Sequence, residues 1–390
     1  MEISKKSGKL ADKKIALCLT GSVACIEAPK LARELRRHGA EVTCYMTKAA
    51  VKYGVSPHVM EWATGRRVVL KLTGRAEHLE DYDLVIVYPA TLNTISKIAL
   101  GVADNAVTTL CAATDPTKLL LVPAMNLKLY DNPFFKENLE KLKGYGATIL
   151  EPRFEEGAAK VATIEEVVDH AIRLLYAGRL KGRGVLILAG PTRYDLDPVR
   201  YISNKSSGKL GLYLAKEAFH RGCNVTVIYG PGSVSFPRYI RTINVYTVED
   251  MLSETLKQLE GEMYEVAIFS AAVLDFKPAS YVSEKVRSGS TWSIELVPTP
   301  KIIEEVSRKF PNVSIIGFKL EYNVPKDQLI ERGREELRRV KALLVVANDL
   351  SEIRGERHKA YIVGEDGVIE FDGTKRELAE EIFDLLEKSL

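Results

Sequence analysis

No stretch of this sequence approaches the roughly 18 consecutive apolar residues of a membrane span. Cysteine is scarce, with five in 390 residues (Cys18, Cys25, Cys44, Cys111 and Cys223) and no CxxC pair among them. An odd, scattered set excludes a disulfide scaffold and a thiolate metal cage, and it fits a reducing cytosol. The six histidines show no HExxH or His-x-His spacing, so metal ligands stay unassigned. Charge of one sign is also lacking, since 55 Lys+Arg face 52 Asp+Glu for a net charge of +3. That balance calls for neither nucleic acid nor an anionic membrane, and it leaves room for a local basic site that holds a phosphorylated ligand. The 46% hydrophobic and 27% charged residues are those of a folded globular chain, whose length predicts two or three domains.

Lys5, Lys6, Lys9, Lys13 and Lys14 ahead of Ile15–Leu19 have the outline of a secretory signal. The apolar run is broken by Thr20-Gly21-Ser22 and followed by Glu27, Lys30 and Arg33, so it reads instead as a buried strand leading into an amphipathic helix. Further short apolar runs at Glu41–Met46, Leu84–Tyr88, Leu119–Val122 and Thr148–Leu150 alternate with helical patterns such as Ala28–His38 and Glu165–Ala177. Residues 177–184, with three glycines and three cations, read as a linker. Beyond them the alternation restarts at Val185–Ala189, Asn224–Tyr229, Val266–Ser270, Ser314–Phe318 and Leu343–Ala347. A hairpin (Ala360–Val363 and Val368–Phe371) and a final helix from Thr374 follow. The expected fold is α/β: two doubly wound Rossmann-like domains over residues 1–176 and 185–390, each a mainly parallel sheet between helices. Ligands of such sheets sit at the carboxyl ends of the strands, so the loops there are where chemistry is sought.

In the first half, Thr20-Gly21-Ser22 follows the first strand. A tight turn with a helix cap accounts for it, and a phosphate cradle is the functional alternative. Pro89-Ala90-Thr91-Leu92-Asn93-Thr94, Gly101-Val102-Ala103-Asp104-Asn105 and Pro123-Ala124-Met125-Asn126 occupy later strand ends, and His78 stands alone in Arg75-Ala76-Glu77-His78-Leu79. In this order, over roughly residues 12–175, these motifs resemble the flavin-dependent cysteine decarboxylases. The resemblance implies FMN held around Gly21, Ser22, Thr47, Thr91 and Thr94, His78 as the catalytic base, and Asn126 as the amide that grips the substrate carboxylate. Two stretches depart from the family. The asparagine is followed by Leu127-Lys128-Leu129-Tyr130 rather than Met-Trp. The expected flap, Phe154–Ala162, carries no cysteine, which leaves Glu155, Glu156, Lys160 or water as proton donor.

In the second half, Gly208-Lys209 fails as a Walker A motif, because Leu210 replaces Ser/Thr and Ser203 the earlier glycine. The ordered set Ala189-Gly190-Pro191-Thr192-Arg193, Leu196–Lys209, Ala271–Asp275, Glu284-Lys285 and Ala347-Asn348-Asp349 resembles phosphopantothenate–cysteine ligase over residues 185–390. Its position behind a decarboxylase half resembles the bifunctional enzymes of coenzyme A biosynthesis. The resemblance implies activation of 4′-phosphopantothenate by CTP and Mg²⁺, with Lys285 promoting formation of the acyl-cytidylate and Asn204 its conversion. Phe269, Ser270, Ala271, Asp275, Pro300, Lys301, Ile302, Ile303 and Phe318 match nucleotide-binding positions. The family's two lysines on the helix before Asn348 do not align cleanly, which leaves Lys341, or Arg338 and Arg339, to take their place. It also implies a homo-oligomer, commonly a dodecamer. Phosphatase-inhibitor relatives form a competing class, usually with acidic tails that this sequence does not show.

Overall fold

The computed structural model describes residues 3–289 and 291–389, in two compact units, Met1–Tyr176 and Ala177–Leu390. In the first unit, β1 (Lys14–Leu19), β2 (Glu41–Met46), β3 (Leu84–Ala90), β4 (Leu119–Pro123) and β6 (Thr148–Ile149) form a parallel sheet in the order β2-β1-β3-β4-β6. The two-residue period of a strand divides each apolar run between two cores. Ile15, Leu17 and Leu19 pack with Leu31, Leu35 and Val167 on one face. Ala16 and Cys18 pack with Ile95, Val107 and Phe135 on the other. Burial on both faces explains why these strands read as unbroken apolar runs.

The expected flap is a hairpin of β7 (Arg153–Glu155) and β8 (Ala158–Lys160), joined to β5 (Met125–Asn126) in a small antiparallel sheet. Glu156 and Gly157, both at positive φ, make its turn.

The second unit is an eight-stranded sheet in the order β13-β12-β9-β14-β17-β18-β19-β20. Its parallel part comprises β9 (Gly184–Ala189), β12 (Asn224–Tyr229), β13 (Arg241–Asn244), β14 (Val266–Phe269), β17 (Ser314–Glu321) and β18 (Leu344–Asp349). The antiparallel hairpin of β19 (Arg357–Gly364) and β20 (Gly367–Thr374) completes it. Counted along the chain, the parallel strands run 3-2-1-4-5-6, with the order reversing between β9 and β14. Two two-stranded ribbons stand outside the sheet: β10 (Arg193–Asp195) with β11 (Tyr201–Ser203), and β15 (Phe276–Pro278) with β16 (Leu296–Pro298).

The segment expected as a linker is partly folded into the second unit. Leu180 is fully buried, and Gly184 already pairs with Asn224 as the first residue of β9.

His358, at the start of β19, is 4% exposed, and neither ring nitrogen has a hydrogen-bond partner among the described residues. Burial, aided by the Lys375 charge, pushes its pKa down to about 4. The unfolded chain, with an ordinary imidazole, binds a proton below pH about 6.5 while the folded chain does not until pH about 4. Stability therefore falls as pH drops across that window, by about 3 kcal/mol from this residue. Urea midpoints of His358→Phe are expected to lose this part of the decline; equal slopes in both proteins would refute the assignment.

Candidate active sites

Four strand ends of the first unit open into one cleft of about 900 Å³. β1 runs into Gly21 and Ser22, β2 into Thr47, β3 into Thr91 and Thr94, and β4 into Ala124 and Met125, and all of these line it. The cleft thus lies at the carboxyl ends of β1 and β3, where the strand order reverses.

A threonine chain ties the loops together. Thr20 Oγ1, fully buried, donates to the Pro89 carbonyl (2.6 Å) and accepts from the Thr91 N–H (3.1 Å). Thr91 Oγ1 caps the helix Leu92–Ala99 by accepting from the Thr94 N–H (3.4 Å), and it bonds Thr94 Oγ1 (3.2 Å). Thr47 caps the next helix through the Ala50 N–H (3.2 Å), and Ser22 accepts from the Ala24 N–H (3.3 Å). Three of the five expected flavin residues, Ser22, Thr47 and Thr91, are also helix caps, so for these hydroxyls a structural and a functional role are compatible. Thr20 and Asn105 were missing from the expected set. Asn105 lines the cleft and closes a capping box with Thr108. Its place in the Gly101–Asn105 motif and just before a helix was its signal.

Gly21 must lack a side chain, because a Cβ there would lie 2.5 Å from Ala49 Cβ. Gly21→Ala is expected to push this loop off Ala49 and lower flavin retention at least tenfold (about 1.4 kcal/mol). Visible absorbance per mole of purified chain measures it; an unchanged yellow protein would contradict the placement.

His78 is not among the residues lining the cleft. It stands on the turn Glu77–Leu79, which packs against the helix Ala106–Ala113, whose first residue lines the cleft. The Glu77 carbonyl accepts from Tyr45 Oη (2.7 Å), which fixes that turn to β2. His78 Nδ1 is buried without a hydrogen-bond partner among the described residues.

Asn126 is exposed on β5, beside the cleft residue Met125, and pairs with Ala158 of the flap. Its Oδ1 accepts from the Lys128 N–H (3.0 Å). The three expected flap donors are engaged with one another: Lys160 pairs with Glu155 (3.2 Å) and Glu156 (2.6 Å). Those hydrogen bonds raise the Lys160 pKa and lower that of Glu156, which favours both charged forms.

In the second unit, the loops after the adjacent strands β9 and β14 are laced together. Ala272 N–H donates to the Gly190 carbonyl (2.9 Å), and Leu274 N–H to Thr192 Oγ1 (2.9 Å). Asn204 Nδ2 joins them, donating to the Ala272 (3.3 Å) and Val273 (3.0 Å) carbonyls. Ser270 Oγ donates to the Leu188 carbonyl (2.8 Å). Gly211 lets the helix Lys209–His220 lie against β9, since a Cβ there would sit 2.4 Å from Ala189 Cβ. Gly211 therefore serves close helix–strand packing, one of the glycine roles of dinucleotide folds.

Asp275 and Lys301 form an ion pair, which brings Pro300 and the start of the helix Ile302–Lys309 to the same loop. Ile303 faces Gly317, the residue before Phe318 and the register partner of Phe269. Lys285 is exposed between β15 and β16 and enters no ion pair among the described residues.

Lys341 is a correction. It ends the helix Lys326–Val340 and lies by Ser314 and Leu344, at the amino ends of β17 and β18. The other expected nucleotide residues gather at carboxyl ends, about 20 Å away along a six-residue strand. Arg338 and Arg339, its proposed alternatives, pair with Glu331, Glu304 and Glu336 at the same wrong end.

A family model described as Flavoprotein matches residues 3–176. One described as DNA/pantothenate metabolism flavoprotein C-terminal domain matches residues 180–390. The coenzyme A biosynthesis bifunctional protein CoaBC of Thermococcus kodakarensis is 46% identical over 395 residues, covering 99% of this chain and 97% of that protein. The chain belongs to the CoaBC family. The CoaBC protein of Methanocaldococcus jannaschii is 38% identical, covering 98% of this chain and 95% of its own. Among solved structures, the C-terminal domain of a CoaBC protein is 32% identical with a TM-score of 0.46, covering 55% of this chain and 98% of that one. As a CoaBC chain it is a bifunctional enzyme of coenzyme A biosynthesis with a flavoprotein half. The first cleft fits a flavin on its own terms: a glycine packed so closely on Ala49 that it admits no side chain, hydroxyls at strand ends, and, on a flanking turn, an imidazole nitrogen without a partner among the described residues.

Proposed function

We propose that the second unit condenses 4′-phosphopantothenate with cysteine at the expense of CTP, and that the first unit, holding FMN, decarboxylates the product to 4′-phosphopantetheine. The observation that supports this reading is the cleft at the carboxyl ends of β1 to β4 in one half, beside the interlaced loops that follow β9 and β14 in the other.

In the ligase half, the substrate carboxylate attacks the α-phosphorus of CTP and expels pyrophosphate, giving an acyl-cytidylate. Lys285, with no carboxylate partner among the described residues, is free to offset the charge that develops on the phosphoryl oxygens. Mg²⁺ enters with the triphosphate, as an ion held largely by phosphate oxygens does. The cysteine amine then attacks the acyl carbon and releases CMP. Because both N–H bonds of the Asn204 amide are committed to the Ala272 and Val273 carbonyls, its Oδ1 is the atom left to accept from the incoming amine.

In the flavoprotein half, FMN would supply a reversible two-electron acceptor: the thiol-bearing carbon is oxidised before CO₂ leaves, which gives the carboxylate's electrons somewhere to go, and the two electrons are returned to the decarboxylated product so that the net reaction is redox-neutral. His78 takes the thiol proton through its unpartnered nitrogen. Asn126 holds the carboxylate with its amide N–H groups, Oδ1 being used by Lys128. Thr20, Thr91 and Thr94 keep the strand-end loops in register around the cofactor.

No helix among the described residues is long and apolar enough to cross a membrane. We place the enzyme in the cytosol as a homo-oligomer, following the family pattern. Mass analysis of the flavin released by denaturation, with pyrophosphate release measured for CTP and ATP separately, tests the assignment. FMN and a preference for CTP are expected; a different flavin, or ATP used as well as CTP, would overturn those parts.

A further inference from the structure

We propose that Asp197 is a positioning residue for the ligase reaction, whose carboxylate staples the Lys285 loop to the turn leading into Asn204. The inference rests on the reading that Lys285 serves nucleotide activation.

Residues 279–295 connect β15 to β16 with no ladder of their own among the described residues. A catalytic cation on such a segment needs fixing from outside, and three bonds bracket it here. Val282 N–H donates to the Leu196 carbonyl (3.1 Å) on one side of Lys285. On the other side Val286 N–H donates to Asp197 Oδ2 (3.2 Å), and Arg200 Nη1 donates to the Val286 carbonyl (3.2 Å). Arg200 also forms an ion pair with Asp197 Oδ2, and its guanidinium lies 5.7 Å from the Trp292 ring further along the loop. The backbone is thus held three residues before Lys285, at Val282, and directly after it, at Val286, while the lysine side chain is in no ion pair among the described residues.

The two oxygens of Asp197 divide the work. Oδ1 accepts from the Val199 and Arg200 N–H groups, both at 2.8 Å, and closes the turn. Oδ2 reaches across the fold to Val286. The side chain is 0% exposed, which is costly for a carboxylate unless its lone pairs are satisfied. A turn cap alone would use Oδ1 and leave Oδ2 to water. The same turn runs through β11 to Asn204, so one carboxylate fixes the spacing between the two residues assigned to the successive ligase steps.

Asp197→Asn separates the roles, because an amide accepts on one atom only and cannot serve both the turn and the loop. The readout is single-turnover pyrophosphate release from CTP and 4′-phosphopantothenate by the full chain, for Asp197→Asn, Lys285→Ala and the double variant, with KM for cysteine measured alongside. We expect Asp197→Asn to slow pyrophosphate release by about tenfold to a hundredfold, as a misplaced catalytic group does, with KM for cysteine little changed. The double variant should be no slower than Lys285→Ala alone, because Asp197 acts through that lysine. Val286→Pro, which deletes the loop-side N–H and leaves the turn intact, should give the same selective loss and decides the matter if Asp197→Asn does not fold. Additive losses in the double variant, or full speed in Asp197→Asn beside an impaired Lys285→Ala, would overturn the inference alone. A fully active Lys285→Ala would overturn the reading beneath it, and the inference with it.

Discussion

Replacing His78 with asparagine is expected to slow decarboxylation of 4′-phosphopantothenoylcysteine by about 10²–10⁴-fold, the usual contribution of a general base, while ligation proceeds at its normal rate. The thiol to be deprotonated has an ordinary pKa near 8.5, so at neutral pH most of it carries its proton, and an imidazole is the side chain suited to remove it. His78 Nδ1 is a buried nitrogen with no hydrogen-bond partner among the described residues, and the turn that carries it is pinned to β2 through Tyr45. Asparagine preserves polarity and approximate size, so flavin absorbance should persist in the variant. Retained decarboxylation at more than about a tenth of the normal rate would remove His78 from the role.

Replacing Lys285 with alanine is expected to cut pyrophosphate release by about 10²–10³-fold. A unit charge about 4 Å from a developing negative charge is worth about 4 kcal/mol at an effective dielectric of 20, which is the same size. Lys301, Lys209 and Arg200 are committed to Asp275, Glu356 and Asp197. Lys205 and Arg287 share with Lys285 the lack of an ion pair among the described residues, so Lys205→Ala and Arg287→Ala serve as controls and are expected to lose less than Lys285→Ala. Lys285→Arg should recover part of the rate, because it restores charge but not the compact ammonium. A Lys285→Ala enzyme within threefold of normal, roughly 0.7 kcal/mol, would mean that the transferring phosphate is neutralised elsewhere.

The parts of the fold that were legible in the sequence are those buried on both faces. β1, β3, β9 and β14 are unbroken apolar runs because helices cover each side, and loops such as Thr20-Gly21-Ser22 and Ser270–Asp275 then fall at their carboxyl ends by connectivity. β13 was not legible, because Arg241–Asn244 is an edge strand with no buried residue. The β10–β11 and β15–β16 ribbons are three residues to a strand, too short for a period to show.

Lys341 was misplaced for a different reason. A helix connecting two parallel strands runs back antiparallel to them, so its last residue must lie at the amino end of the next strand. That rule puts Lys341 away from the nucleotide loops, although its helix is the one that bears lysines in the family. Asn204 shows the opposite case. Nothing in the spacing between β9 and its helix predicts that the intervening excursion folds back onto Ala272 and Val273, yet those two hydrogen bonds set which atom of its amide is free to act.

The most direct test of the central claim is mass spectrometry of the purified chain incubated with 4′-phosphopantothenate, cysteine, CTP and Mg²⁺. Formation of 4′-phosphopantetheine with stoichiometric CMP and pyrophosphate is predicted, and it would show that the cysteine-free flap completes the flavin cycle. Accumulation of 4′-phosphopantothenoylcysteine without loss of CO₂ would contradict the claim for the flavoprotein half, and absence of any conjugate from folded, flavin-loaded protein would contradict it for both.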